Sequence, residues 1–600
     1  MTTDQSATGQ NLDQLNNNLA KIEQLSQRLV VALAQKRQVD PKLQGPSQDL
    51  YAKAATAYVS EIMANPAKML ETQVSYWGKT LEHFIAAQQA LAQGAFEAPE
   101  AAADETPEDK RFSNPMWQTH PFFNFIKQQY LLNAQSVENA VQELDGLEPR
   151  DRQRIEFFSR QILDMFAPTN FLGTNPDALA LAVETDGQSL VAGLENLVRD
   201  IETNEGDIQV TLADKNAFTV GKNIATTEGS VVFRNRMFEL IQYAPKTETV
   251  YKTPLVIFPP WINKFYIMDL KPQNSLIKWL VEQGFALFMV SWKNPDGDYA
   301  DVGIDTYIEE GFLTAIDEVK KITGEKQVNT VGYCIAGTTL SMALAYLHKK
   351  KDKSVKSATF FTMLSDFSDQ GEFTPFLTDD FMDGIEREAR DHGYLDSFFM
   401  SRTFSYLRAN DLIYGPAIRS YMMGQAPPAF DLLYWNGDST NLPGRMAIEY
   451  LQDLCRNNRF ADGGIDLLGE KLSITDVRVP LCAVACETDH ISAWVASFNG
   501  VSQMGSTDKT FILSESGHIA GIINPPTKKK YGHYTNDEMG LTHEDWREGA
   551  DFHEGSWWPR WGEWVAKASG EQIPAREVGD SDHPILCAAP GTYVLASKDV

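Results

Sequence analysis

The segment best suited to covalent chemistry is Gly332-Tyr333-Cys334-Ile335-Ala336-Gly337. It follows a β-like run, Val328-Asn329-Thr330-Val331, and opens a helical stretch that starts at Thr338. A nucleophile on a sharp strand-to-helix turn needs small residues around it, because the backbone doubles back there. Gly332, two residues before the cysteine, and Ala336, two after it, meet that need. Glycine is the commoner residue at the second position. The positive end of the following helix would lie under the sulfur and favour an anion. The competing reading is a buried cysteine at an ordinary strand–helix junction. The choice of cysteine also bears on the reaction. A thiolate attacking a thioester forms another thioester of similar energy, so the acyl group stays activated for a second acceptor. Acyl transfer from thioesters is therefore favoured over plain ester hydrolysis.

A cysteine nucleophile needs a base, and the base needs an orienting carboxylate. On this kind of scaffold they follow the nucleophile in the order acid, then histidine. Thr488-Asp489-His490 follows the apolar run 481–487, and Ser516-Gly517-His518-Ile519 follows the run 509–515. His518 is the expected general base and Asp489 its orienting acid. His490 is a rival base and Glu487 a rival acid. For an oxyanion hole, one backbone N–H is expected from Ile335, directly after the nucleophile. The second is expected from Ile262, in the loop Pro259-Pro260-Trp261-Ile262-Asn263-Lys264; the alternative for that loop is a rigid turn set by two prolines.

Strands must present these residues at one sheet edge. Runs 255–258, 286–292, 328–333, 358–364, 481–487 and 509–515 are short and β-rich, and read as buried strands, since continuous apolar runs suit strands covered on both faces. Helical patterns over 305–322 and 338–350 alternate with them, which implies a parallel sheet with right-handed crossovers. The expected fold is an α/β-hydrolase domain over 225–600. Residues 365–445 break the alternation and read as a cap inserted between two strands. Before it, residues 1–224 read as a helical domain with apolar spacings of three and four. These cover Leu12 to Leu33 and the stretches 48–93, 119–145, 149–167 and 176–200. The Ala-, Glu- and Pro-rich stretch 94–110 reads as a flexible linker.

Bulk properties narrow the partners. The 600 residues exceed what a single core usually covers. A net charge of −28 disfavours nucleic acid and anionic membranes as partners. Five scattered cysteines argue against a disulfide framework. Cys482 and Cys486 lie in an apolar strand without a second ligand pair, so no metal site is expected. No apolar run reaches the roughly 20 residues that span a bilayer, and MTTDQSATGQ lacks a secretory core. A cytoplasmic protein without integral membrane association is expected.

Longer strings carry a family resemblance. FPPWINKFYIMDLKPQNSL (258–276), VSWKNPD (290–296), VGYCIAGTTL (331–340), FDLLYWNGDSTNLP (430–443), TDHI (488–491), SGHIAGIINPP (516–526), GSWWPRW (555–561) and FSNPMWQTHPFFNFIKQQYLL (112–132) resemble the class I polyhydroxyalkanoate synthases over most of the chain. The resemblance implies polymerisation of (R)-3-hydroxyacyl-CoA, chiefly 3-hydroxybutyryl-CoA, into polyester with release of CoA. It places that family's Cys, Asp and His on Cys334, Asp489 and His518. It also implies a homodimer attached to a polymer granule, with acyl-CoA as substrate and no cofactor. Ala336 departs from the family's more frequent glycine. Two rival functions remain open at this point. One is a thioesterase or polyester hydrolase on the same fold, and the other is a granule-binding protein without activity.

Three further features have two readings each. Phe398, Phe399, Phe404, Tyr406, Tyr414, Tyr421 and Tyr434 either line an apolar tunnel under a lid or form the cap's own core, and Trp435 makes a dimer or lid contact. Lys528, Lys529 and Lys530 either meet the phosphates of CoA or form a solvated loop. The helix from Leu12 to Leu33 either binds the polymer surface or packs in its own domain. Trp557, Trp558, Trp561 and Trp564 are expected to dock a C-terminal helix.

Overall fold

The computed structural model describes residues 4–35, 79, 109–144 and 146–596. The helical pattern expected over 48–93 and the linker expected over 94–110 fall almost wholly outside these residues. The chain divides into two compact units: residues 1–212 with 405–428, and residues 213–404 with 429–600. The boundary expected at 224/225 thus falls at 212/213, and the expected cap 365–445 is divided between the units.

The first unit is helical. Its main helices are α1 (Asp4–Leu33), α2 (Pro121–Gln142), α3 (Pro149–Met165), α4 (Pro176–Glu184) and α5 (Gln188–Thr203). Gly187, at φ 80°, separates α4 from α5, so the pattern expected over 176–200 is two helices. Among the positions of α1 whose side chains are described, Asn18, Leu25 and Ala32 are buried, while Leu19, Ile22 and Leu33 are exposed. Salt bridges Lys21–Glu195 (2.5 Å) and Arg28–Glu202 (2.6 Å) tie α1 to α5.

The distant segment 405–428 joins this unit through polar groups. Asn196 donates to the carbonyls of Ser420 and Gln425 at 3.1 Å each. The Tyr421 hydroxyl donates to the buried Asp200 at 2.9 Å. Gly193 sits against the Tyr421 carbonyl so closely that no Cβ could fit between them. Tyr421 is therefore part of this helical packing rather than a tunnel wall.

The second unit is built on an eleven-stranded sheet. Its strands are β1 (Gly229–Arg234), β2 (Phe238–Tyr243), β3 (Leu255–Phe258), β4 (Leu287–Trp292), β5 (Val328–Tyr333), β6 (Val355–Phe361), β7 (Leu481–Cys486), β8 (Lys509–Ser514), β9 (His533–Thr535), β10 (Asp551–His553) and β11 (Cys587–Ala588). They lie in the order β10-β9-β8-β7-β6-β5-β3-β4-β2-β1-β11. The six central strands, β3 to β8, pair in parallel. The flanking strands are antiparallel. Every residue of β3, β4, β5 and β7 is buried, as continuous apolar strands covered by helices must be. This is the α/β-hydrolase arrangement, with a strand-to-helix elbow after the fifth strand.

The main helices here are α6 (Leu276–Glu282), α7 (Thr314–Thr323), α8 (Ile335–Lys349), α9 (Asp379–His392), α10 (Ser397–Leu407), α11 (Trp494–Gln503) and α12 (Trp558–Ser569). Between β6 and β7 the chain runs through 362–480 without rejoining the large sheet. The antiparallel edges escape the sequence reading. Their strands are short or, like β2, carry buried polar residues such as Glu239 and Gln242.

Candidate active site

The elbow owes its shape to two glycines. Cys334 adopts φ 54° and ψ −127°, a conformation that a non-glycine residue holds only when its surroundings impose it. Its amide donates to the Phe361 carbonyl at 2.8 Å, which fixes the turn against β6. A Cβ on Gly332 would stand 2.6 Å from the Gly337 Cα, and one on Gly337 would stand 2.7 Å from the Met363 Cγ. The tight approach is thus to Gly337, three residues after the cysteine. Ala336 is fully buried without obstructing the turn. Cys334 itself is partly exposed and carries no disulfide.

The acid and the base reach the same edge by strand register. β7 and β8 pair in parallel with Cys486 opposite Ser514, so the loops leaving both strands emerge side by side. Asp489 comes three residues after β7, and His518 four after β8. His518 Nδ1 donates to Asp489 Oδ2 at 2.7 Å. Asp489 Oδ1 accepts the amides of Ile491 and Ser492, each at 2.8 Å. Those two amides orient the carboxylate as it orients the ring. Cys334 lies near enough to the imidazole to favour its charged form. With Nδ1 held by Asp489, Nε2 is left for the sulfur.

Burial opposes charge on His518 and is the largest single influence. The Asp489 carboxylate and Cys334 together outweigh it and hold the imidazole well above its usual value. A raised proton affinity makes the ring a stronger base toward the thiol beside it. The Tyr333 ring stacks on His518 at 5.9 Å, and its hydroxyl donates to the His518 carbonyl at 3.3 Å. Of the rivals, Glu487 is bound to Arg547 at 2.9 Å. His490 is not the residue that Asp489 orients.

The proposed oxyanion donors lie beside the elbow. Ile335 occupies the first position of α8, where an amide has no carbonyl four residues back to bond. Phe258 pairs with Gly332, so the loop after β3 begins next to the turn. Trp261 Nε1 donates to Thr339 Oγ1 on α8 at 3.1 Å, anchoring the loop that carries Ile262.

That loop is also zipped to residues 435–440. Asn263 bridges Ser439, Thr440 Oγ1 donates to the Trp261 carbonyl at 3.3 Å, and Trp435 Nε1 donates to the Lys264 carbonyl at 2.7 Å. The buried Lys264 ammonium pairs with Asp438 at 2.7 Å, and the Tyr266 hydroxyl donates to the same carboxylate at 2.7 Å. Trp435 is buried in this internal packing, and Tyr434 packs on Phe218 at 5.1 Å.

Two contributions are invisible to motif reading. Tyr450 begins a π-helical turn, Tyr450–Arg456, a geometry frequent at functional sites. Its ring meets Trp261 at 5.8 Å. Burial pushes its phenol well above the usual value, and Cys455 and Cys334 add to that. The second contribution comes from the tryptophans near α12. Trp557 Nε1 donates to the Gly521 carbonyl at 2.8 Å and Trp558 Nε1 to the Ile522 carbonyl at 2.9 Å. Both carbonyls lie just after His518, so these tryptophans brace the base's own loop. The strings Gly555–Trp561 and Ser516–Pro526 were each noticeable in sequence, but nothing there linked them.

Among the described residues no group of three His, Cys, Asp or Glu side chains could hold a metal ion, and no helix is long and apolar enough to cross a membrane.

Comparison with known proteins converges on one family. Residues 108–280 match the family described as poly-beta-hydroxybutyrate polymerase (PhaC) N-terminus. The chain is 41% identical to a poly(3-hydroxyalkanoate) polymerase of Methylorubrum extorquens, over 92% of this chain and 91% of that protein. It is 37% identical to the polymerase subunit of Rhizobium meliloti (strain 1021), over 92% and 91% of the two chains. It is 38% identical to the polymerase subunit of Cupriavidus necator, over 88% and 89%.

Proposed function

Since the chain belongs to the poly(3-hydroxyalkanoate) polymerase family, we propose a mechanism in which Cys334 carries the acyl group as a thioester. The protein is an enzyme that polymerises 3-hydroxyalkanoate units. The observation that carries the mechanism is the 2.7 Å hydrogen bond from His518 to the Asp489 carboxylate, with Cys334 on the elbow acting on the same imidazole.

In the first half-reaction His518 takes the thiol proton and the sulfur attacks the carbonyl carbon of an (R)-3-hydroxyacyl-CoA. A C–S bond forms to Cys334, the bond to the CoA sulfur breaks, and CoA leaves with the proton from His518. Asp489 keeps Nδ1–H engaged, so that Nε2 faces the reacting atoms. The amides of Ile335 and Ile262 would receive the negative charge that develops on the carbonyl oxygen. In the second half-reaction the 3-hydroxyl of one acyl unit gives its proton to His518 and attacks the acyl thioester of another. A C–O bond forms as the C–S bond breaks, the departing sulfur takes the proton from His518, and the polyester is one unit longer. The acyl-CoA is consumed as substrate, and the scheme calls for no further cofactor.

Excluding water from the thioester is what separates polymerisation from hydrolysis. The burial of the base and the acid favours that exclusion, His518 and Asp489 being only 7% and 8% exposed. A preference for short acyl chains such as 3-hydroxybutyryl, a homodimer, a cytoplasmic location and attachment to the polyester granule complete the proposal.

Purified protein supplied with (R)-3-hydroxybutyryl-CoA tests it. Release of CoA together with insoluble polyester is expected, and Cys334→Ala should abolish both. Stoichiometric free 3-hydroxybutyrate would make the protein a hydrolase. CoA release that persists in Cys334→Ala would exclude this sulfur as nucleophile.

A further inference from the structure

The lysine run 528–530 begins ten residues after the catalytic base, on the loop that the base itself opens, although the chain as a whole is strongly acidic. Pro526–Lys528 forms a short 3-10 turn, and Lys529 follows in the left-handed region at φ 45°. This turn folds back onto the His518 loop. Asn524 Nδ2 donates to the Tyr531 carbonyl at 3.0 Å, closing the turn on itself. The Gly532 amide donates to Glu515 Oε2 at 2.6 Å, which occupies the carboxylate nearest in sequence. The Lys530 ammonium stands 4.7 Å over the Tyr531 ring. The Tyr531 phenol is held below its usual value by Lys530 first, with Ser516, two residues from His518, and Lys528 acting in the same direction. All three lysines are exposed, so they remain available to a ligand.

A net charge of −28 repels a polyanionic substrate at long range, so a local cationic patch at the site's rim has a function to perform. Lysine suits phosphate as a compact point charge with three rotatable donors. We propose that the Lys528–Lys530 turn binds the phosphate groups of the coenzyme A carrier. It holds the nucleotide end of the substrate at the rim while the pantetheine arm delivers the thioester to Cys334. The inference rests on acyl-CoA being the substrate, as argued above.

The test compares two thioesters with the full-length protein. One is (R)-3-hydroxybutyryl-CoA; the other is (R)-3-hydroxybutyryl-pantetheine, which lacks every phosphate. In the triple variant K528A/K529A/K530A, KM for the CoA thioester should rise roughly five- to tenfold, as expected from losing two or three solvent-screened charge pairs. Its kcat should hold within about twofold, and both constants for the pantetheine thioester should stay unchanged, which also shows that the variant folds. The triple arginine variant should restore KM. Added salt should raise KM for CoA thioester in the parent protein more than in the alanine variant. Equal effects on both thioesters would reduce the turn to a support for His518, and no effect on either would make it a solvated loop; each outcome overturns the proposal. If the parent protein releases no CoA from any 3-hydroxyacyl-CoA, the functional reading itself fails, which is a separate result.

Discussion

Gly332 and Gly337 meet back to back across the elbow, where a Cβ on the first would stand only 2.6 Å from the Cα of the second. Cys334 is held between them at φ 54°. The smallness that a strand-to-helix elbow needs is therefore met three residues after the nucleophile, which explains why alanine is accommodated at 336.

Gly332→Ala should consequently cost about 1–3 kcal/mol from overpacking and displace the sulfur from His518. Thermal unfolding and the rate of CoA release should both fall. Ala336→Gly should leave activity within about twofold and lower stability by about 0.5–1 kcal/mol, the usual cost of glycine in a helix. Loss of activity in Ala336→Gly would show that the methyl itself shapes the turn.

The Lys264–Asp438 pair clamps the loop that carries Ile262. Asp438→Asn leaves a buried ammonium without its counter-charge, and about 2–4 kcal/mol of stability should be lost. The double variant Lys264→Met/Asp438→Leu should recover part of that stability, as double-mutant analysis of denaturant unfolding can measure. Its acylation rate, read as single-turnover CoA release, should stay low because the loop has lost its polar anchor. A double variant with unchanged acylation would remove the clamp from the catalytic account.

Tyr450 packs on Trp261 at 5.8 Å, and Cys334 is among the groups that act on its phenol. Tyr450→Phe should lower kcat by about tenfold with little change in KM, the pattern for an interaction made in the transition state rather than the ground state. Stability should shift by only about 1 kcal/mol, the worth of one hydrogen bond. Unchanged kcat would make the phenol a packing group.

His533 supplies an acid-side stability limit. Burial pushes its imidazole down to about 4, with the cations of His553 and Arg560 also disfavouring its charge, while its hydrogen bond to the Gly555 carbonyl acts the other way. The unfolded state, with histidine near 6.5, then binds a proton that the folded state refuses. The stability this residue contributes is complete above pH 6.5 and is lost as pH falls from there toward 4. The melting temperature of the parent protein should decline between pH 7 and 5 by about 1–2 °C more than that of His533→Gln. Parallel curves for the two proteins would show that another group sets the acid limit.

The central strands, the elbow and the order Cys334, Asp489, His518 were all legible in the sequence. Each is a local signal: an unbroken apolar run, or a small-residue turn between strand and helix. The antiparallel edges were not legible, because strands such as β9 and β10 have only three residues each. The assignment of 405–428 to the helical unit was equally hidden. It depends on Asn196, Asp200 and Gly193 meeting a segment more than two hundred residues away.

For the proposed site, the sequence by itself determined which residues are candidates for the chemistry and at which strand ends they stand. Only the tertiary structure decided what holds them there. The 2.7 Å bond between His518 and Asp489, the bracing of the His518 loop by Trp557 and Trp558, the Lys264–Asp438 clamp and the placement of Tyr450 all join residues distant in the chain. The physical reason is that apolar periodicity and turn chemistry act between near neighbours along the backbone. Hydrogen bonds and ion pairs between distant segments exist only after the sheet has set the register of its strands.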